Sequence, residues 1–171
     1  MANALLINGS PHADGCTFTA LGEVAGELGK AGIQTRIFHI GAKPIRGCTA
    51  CRRCADTGLC VFDDDPVNEC IGLAREADGL VVGSPVYYSG PNGALCAFLD
   101  RMFYIKAAGY AHKPAAAVVN CRRGGASAAF DRLNKYFTIS SMPVVSSQYW
   151  NATHGTTPDE VRRDEEGLQI M

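Results

Sequence analysis

Four cysteines, Cys48, Cys51, Cys54 and Cys60, fall within thirteen residues of this chain, in the spacing C-x2-C-x2-C-x5-C. Four thiolates this close can surround one [4Fe–4S] cluster, and compact C-x2-C-x2-C runs are typical of that ligation. The run departs from the bacterial ferredoxin pattern, whose last cysteine follows after three residues and precedes Pro; here Val61 follows Cys60. Structural zinc more often draws on two well-separated cysteine pairs. A set of unmetallated thiols is the third reading, and the spacing leaves all three open. The chain has eight cysteines in total. Cys70, Cys96 and Cys121 read as small buried hydrophobes.

Two other segments carry groups suited to a ligand. Gly9-Ser10-Pro11-His12-Ala13-Asp14-Gly15-Cys16-Thr17 is neither G-x-G-x-x-G nor a P-loop. It offers the Ser10 and Thr17 hydroxyls and free backbone N–H groups at a helix start, a combination that suits a phosphate. The plain alternative is a capped turn with Thr17 as the N-cap. Cys16 stands where a helix start can lower a thiol pKa, or is a small neutral loop residue. The second segment, Ser84-Pro85-Val86-Tyr87-Tyr88-Ser89-Gly90-Pro91-Asn92-Gly93, sets two adjacent tyrosines in a Pro/Gly-rich stretch. Their faces suit a planar ring, or one of them covers the sheet edge. His39, His112 and His154 show no partner pattern.

These segments need a scaffold, and the periodicity supplies one. Strands are expected from short apolar runs at Ala4–Asn8, Gly79–Gly83, Ala115–Asn120 and Pro143–Ser147, and from alternation at Gln34–Ile40. Helical patterns are expected at Phe18–Ala31, Val67–Ala77, Asn92–Lys106 and Ser127–Thr138, with an irregular stretch over 41–66 that holds the cysteines. Strands alternating with helices indicate right-handed βαβ units and a parallel sheet covered on both faces. Ligands of such sheets sit at the carboxyl ends of the strands, where both segments fall. Trp150 and Asn151, just past the expected fifth strand, are placed to wall a pocket there or to pack on the surface.

Composition narrows the partners. Apolar residues make up 47% and charged residues 19%, which excludes wholesale disorder. Sixteen Lys+Arg against seventeen Asp+Glu give a net charge of −1 and no basic footprint for nucleic acid. No apolar run approaches membrane length, and Met1-Ala2-Asn3-Ala4-Leu5-Leu6-Ile7 lacks the pattern of a secretory leader. A cytoplasmic location is expected, which disfavours a disulfide scaffold.

Taken together, the segments resemble the flavodoxin-fold NADPH-dependent FMN reductases. Residues 9–17 are similar to that family's FMN-phosphate loop. Gly83-Ser84-Pro85-Val86-Tyr87-Tyr88, continuing to Phe98-Leu99-Asp100-Arg101, is similar to its isoalloxazine loop and following helix, and Asn120-Cys121-Arg122-Arg123-Gly124-Gly125 to a third flavin-side segment. The cysteine spacing resembles the iron–sulfur flavoproteins, a branch of the same family. The resemblance covers most of residues 4–170.

It implies one domain over 1–171, with a cysteine-rich insert at about 41–66. The implied fold is flavodoxin-like: a doubly wound α/β sheet of five parallel strands, order 2-1-3-4-5, with FMN at the switch point. Ser10, His12, Cys16 and Thr17 would hold the phosphate. Pro85, Val86, Tyr87, Tyr88, Ser89 and Gly90 would meet the ring. Arg122, Arg123 and Gly124 would lie at the pyrimidine edge, although two solvated loop arginines are the common case. Cys48, Cys51, Cys54 and Cys60 would carry a [4Fe–4S] cluster. NAD(P)H is the implied transient co-substrate, and a quinone, free flavin or redox protein the acceptor. A homodimer or homotetramer is implied, one subunit completing another's site. Family members often have Arg at the position of His12 and Ser at that of Cys16, so phosphate affinity is expected to be lower. They also run past the position of Met171 into a last helix. Two other functions remain: a flavodoxin-like electron carrier, for which a net charge of −1 gives little docking field, and a zinc-stabilised binding module.

Overall fold

Leu5 and Ile7 point to one side of the first strand, Ala4 and Leu6 to the other, and both sides are buried. That period-2 alternation without a polar face is the mark of a strand covered by helices on both sides. The same split recurs along the third strand, where Leu80 and Val82 join one core and Val81 the other.

The computed structural model describes residues 1–105 and 108–171. In chain order the elements are β1 (Asn3–Asn8), α1 (Cys16–Lys30), β2 (Gln34–His39), α2 (Cys54–Thr57), α3 (Val67–Glu76), β3 (Gly79–Tyr87), β4 (Gly90–Pro91), α4 (Gly93–Tyr104), β5 (Ala115–Cys121), α5 (Ala126–Ile139), β6 (Ala152–His154), α6 (Pro158–Val161) and α7 (Glu165–Ile170). The sheet runs β2-β1-β3-β5-β6 with every neighbour parallel, and β4 pairs antiparallel with β3. The five parallel strands therefore follow the expected order. The larger core lies on the side of α3, α4 and α5, and the smaller one on the side of α1. Among the described residues no helix is long and apolar enough to cross a membrane.

Three expectations are corrected. The fifth strand is not Pro143–Ser147. Val144 makes one isolated bridge to Ala115, and the place beside β5 belongs to Ala152–His154. Val144 and Val145 are 38% and 49% exposed, whereas Asn151, Ala152 and Thr153 are buried. Polar side chains hold this short strand: Asn151 Nδ2 donates to the Ala117 carbonyl at 3.1 Å, and Asn120 Nδ2 to Thr153 Oγ1 at 3.1 Å. Second, β3 does not stop at Gly83 but runs to Tyr87. Its Pro85 pairs with Asn120 of β5 on one side, while β1 ends opposite Gly83 on the other. The missing N–H of Pro85 thus falls where no neighbour remains to accept it, as proline in a sheet requires. Third, the 41–66 stretch contains one turn of helix, α2. The helix expected to reach Lys106 is observed to Tyr104, and Lys106 lies outside the described residues.

Candidate functional site

Asn8, the last residue of β1, organises the loop that follows it. Its Oδ1 accepts from the Ser10 N–H at 3.1 Å, and its Nδ2 donates to the carbonyls of His12 and Ala13 at 3.3 and 3.1 Å. Ser10 Oγ accepts from the His12 N–H at 3.1 Å. His39, at the end of β2, sets Nε2 2.8 Å from the Ser10 carbonyl. The loop enters α1 through Gly15, which provides no side-chain cap. Thr17 is therefore not the N-cap; it lies inside the first turn.

Thr17 is 1% exposed, and its Oγ1 has no hydrogen-bond partner. Its methyl lies against β3, since a Cβ on Gly83 would come within 2.9 Å of Thr17 Cγ2. A buried hydroxyl left unpaired costs about 1–3 kcal/mol. Such an atom, in the first turn of a helix whose N–H groups and dipole favour negative charge, fits an anionic ligand. Cys16 and His12 flank it, half-buried and exposed. Burial pushes the Cys16 thiol up, against the lowering effect of its backbone hydrogen bond, so it is a neutral thiol and not an activated one.

The loop after β3 is bolted to this first loop. Gly9 donates its N–H to the Gly83 carbonyl at 2.9 Å. It packs so closely that a Cβ there would meet Leu95 Cδ2 at 2.4 Å, which leaves glycine the residue that fits. Asn92 caps α4 by accepting from the Ala94 N–H at 3.0 Å. The same side chain donates to the Gly9 carbonyl at 2.7 Å, and the Asn92 N–H donates to Ser84 Oγ at 3.0 Å.

Residues 84–91 form a hairpin, with Tyr87 paired to Gly90. The two turn residues, Tyr88 and Ser89, have φ of 49° and 61°. Two left-handed residues make the type I′ geometry that matches strand twist, a conformation glycine or asparagine takes more readily. The turn holds Tyr88 fully in solvent, at 107% relative exposure, and Tyr87 at 46%. Tyr88 therefore does not cover the sheet edge. Pro85, Val86 and Gly90 are partly buried beneath them.

The third loop touches this tip. Gly125, at φ 86°, lies where a Cβ would be 2.8 Å from Ser89 Cα. Arg122, Arg123 and Gly124 are exposed just before it. Beside them opens a cavity of about 280 Å³, lined by Arg123, Gly124, Trp150 and His154 among others. Trp150 packs on Tyr149 with ring centroids 5.0 Å apart, and it precedes the last parallel strand rather than following it. A roomier apolar cavity of about 480 Å³ lies elsewhere, against Ala2, Gly79 and Pro114 at the amino ends of the strands. Ligands of open parallel sheets bind at the opposite ends, so the chemistry is assigned to the loops.

The cysteines make a separate centre. Cys48, Cys51, Cys54 and Cys60 line one small pocket with Phe62, Arg101 and Tyr104, and all are free thiols. Burial pushes the Cys54 thiol up, and the charges of Cys48, Cys51 and Cys60 push it further, so the four sulfurs share one field. Among the described residues no three His, Cys, Asp or Glu side chains close around the point where a single metal ion would sit. Ala50 and Arg52, on either side of Cys51, have φ of 54° and 60°. The Ala50 N–H donates to Cys48 Sγ at 3.4 Å. Asn68 clamps the Cys60 backbone, accepting from its N–H at 2.8 Å and donating to its carbonyl at 3.0 Å. Arg101 Nε donates to Cys60 Sγ at 3.1 Å. Of the other cysteines, Cys70 and Cys121 are buried as expected, with thiols pushed up by burial, and Cys96 is half-buried.

The model of the NADPH-dependent FMN reductases matches residues 2–157. The chain belongs to that family. It is 30% identical over 171 residues to an iron-sulfur flavoprotein of Methanocaldococcus jannaschii, a match covering 95% of this chain and 88% of the relative. It superposes on RosB, solved with bound 8-demethyl-8-formylriboflavin-5'-phosphate, with a TM-score of 0.75 at 16% identity, covering 100% of this chain and 76% of RosB. It superposes on a WrbA-like flavodoxin of Agrobacterium tumefaciens with a TM-score of 0.65 at 15% identity, covering 99% of this chain and 95% of that one. At these identities the two structures establish the flavodoxin-like fold.

Within this FMN reductase frame, the Asp100-Arg101 pair does not reach the hairpin. Asp100 accepts from Tyr136 Oη at 2.5 Å, and Arg101 enters the cysteine loop. Asn8, His39, Asn68 and Asn92 are positioning residues to which the sequence motifs give no role. Only Asn92 had a local signal, a capping residue just before an apolar helical pattern.

Proposed function

We propose that this chain is an FMN-dependent oxidoreductase that takes electrons from NAD(P)H and passes them to a small-molecule acceptor or a redox protein. The observation that carries the reading is Thr17 Oγ1, buried and unpaired in the first turn of α1. It fits a phosphate oxygen, and the Ser10 hydroxyl of the same loop is a second donor for one. Bound FMN would supply the hydride and single-electron chemistry, while the protein supplies position and electrostatics. In this reading the 9–17 loop anchors the phosphate, and the 85–90 hairpin lies along the ring with Tyr87 and Tyr88 available for stacking. Arg122 and Arg123 bring positive charge to the ring's pyrimidine edge, beside the backbone of Gly124. No side chain is assigned as a general acid.

Four free thiols around one pocket also fit a [4Fe–4S] cluster on Cys48, Cys51, Cys54 and Cys60, which would supply a one-electron relay. Their donor chemistry is right for it, and a single tetrahedral zinc would instead draw the sulfurs within about 4 Å of one another. The iron-sulfur flavoprotein relative supports the same assignment. The exposed aromatics Tyr88, Tyr149 and Trp150 at the strand ends suit a homodimer or homotetramer in which a second subunit completes the site. Eight free thiols suit a reducing compartment and support a cytoplasmic location.

The test is an anaerobic absorption spectrum of the full chain after reconstitution with FMN, iron and sulfide, with iron and zinc analysis. Flavin bands near ~450 nm and a shoulder near ~400 nm with about four irons per chain are expected. Protein that retains no flavin overturns the oxidoreductase reading. Zinc in place of iron overturns the cluster.

A further inference from the structure

Arg101 is a buried cation that the flavin site does not use. Its side chain is 0% exposed, and its ion-pair partner Asp65 is 7% exposed. Burying such a pair is costly unless every donor is satisfied, and here each guanidinium nitrogen has a partner. Nη1 donates to the Asp65 carboxylate and to the Arg46 carbonyl at 3.2 Å. Nη2 donates to the Phe62 carbonyl at 2.8 Å, and Nε to Cys60 Sγ at 3.1 Å. All four partners belong to the segment that carries the cysteines. Arg101 itself stands on α4, whose inward face is part of the main core. The guanidinium therefore ties the cysteine loop to the rigid body of the fold, and its Nε reaches the sulfur of the last cysteine.

We propose, resting on the cluster reading above, that Arg101 positions Cys60 as the fourth ligand and, balanced by Asp65, sets the reduction potential of the cluster. Hydrogen bonds to ligand sulfurs and nearby net charge are what tune such potentials. Uptake of an electron adds negative charge at the sulfurs. A buried N–H donor and its cation favour that reduced form, and the Asp65 carboxylate opposes it. Arg46 lies over the Phe62 ring but is exposed and pairs with Asp64, so water screens its charge. Removing Arg101 therefore lowers the potential, and neutralising Asp65 raises it. A purely structural role predicts something different. Loss of either partner would then loosen the same loop, and the two variants would behave alike.

The experiment uses the full chain, reconstituted anaerobically with iron and sulfide. Iron content is measured, followed by a potentiometric titration monitored by electron paramagnetic resonance. In Arg101→Gln the reduced-to-oxidised ratio at a fixed potential is expected to fall at least tenfold, a shift of about 59 mV downward for a one-electron couple. Asp65→Asn is expected to shift upward. Arg101→Lys, which keeps the charge and loses the planar fork, is expected between Arg101→Gln and the wild type. If Arg101→Gln does not fold, Arg101→Lys below the wild type with Asp65→Asn above it supports the proposal. Loaded variants with the wild-type potential, or Arg101 and Asp65 variants shifted in the same direction, overturn it while leaving the cluster reading intact. A wild type that takes up no iron overturns the cluster reading, and this inference with it, before any variant is made.

Discussion

Thr17→Val separates what the first turn of α1 does for folding from what it does for binding. Valine has nearly the shape of threonine and keeps the methyl that packs over Gly83, but it carries no hydroxyl. Thr17 Oγ1 is buried with no partner from the protein, and without a ligand such an unsatisfied buried group costs about 1–3 kcal/mol. The variant apoprotein is therefore expected to be more stable by about 1 kcal/mol, at the low end of that range, because partial relaxation already spares the wild type some of the cost. For a chain of this size that raises the unfolding midpoint by about 2–4 °C. Binding moves the other way. A hydrogen bond to a charged group contributes about 1.5–3 kcal/mol, so the FMN dissociation constant rises roughly 10- to 150-fold. The two signs are read from urea unfolding of the apoprotein and from quenching of flavin fluorescence on titration. A Thr17→Val apoprotein that is less stable than the wild type, or that binds FMN as tightly, refutes the reasoning.

Gly125→Ala sets a Cβ 2.8 Å from Ser89 Cα at a φ of 86°; the expected loss is about 1–3 kcal/mol, read from the urea midpoint. Tyr88→Ala removes a fully exposed ring, so stability changes by less than about 0.5 kcal/mol, whereas FMN binding weakens by about 1 kcal/mol, roughly fivefold. In metal-free protein, iodoacetamide is expected to label the exposed Cys48 and Cys51 first and the buried Cys70 and Cys121 last, as followed by peptide mass spectrometry.

The parts of the fold that were legible in the sequence are those where hydrophobic burial dictates the residue. Leu5, Ile7, Leu80 and Val82 form apolar runs because both faces of their strands are covered, and α1, α3, α4 and α5 lie within about two residues of their periodic patterns. The last parallel strand escaped because side-chain hydrogen bonds hold Ala152–His154, which leaves no apolar run to read. The run at Pro143–Ser147 drew the strand instead, although Val144 and Val145 are only partly covered. The hairpin escaped for a related reason. Its turn uses Tyr88 and Ser89 at positive φ, where local preference points to glycine or asparagine. The cysteine motif was legible because its four thiols are close in sequence. Asn68 and Arg101 act on Cys60 from eight and 41 residues away, and no local pattern encodes such contacts.

The helix α4 shows how one block of sequence holds two distant parts of the molecule at a set separation. At its start, Asn92 holds the Gly9 carbonyl of the first loop and, through Ser84, the base of the hairpin. Nine residues on, Arg101 holds Cys60, about 14 Å further along the axis at 1.5 Å per residue. Between these two grips, Leu95, Phe98 and Leu99 are fully buried, as is Met102 just beyond. A close-packed helix does not slide or turn freely, so the separation of the loops from the cysteine pocket is fixed by the core rather than by the loops. The residues of Phe98-Leu99-Asp100-Arg101 serve that spacing: Phe98 and Leu99 seat the helix, Asp100 ties it to α5 through Tyr136, and Arg101 reaches the sulfur. Their value to the site is the distance they enforce between the loops at one end of α4 and the cysteine pocket at the other.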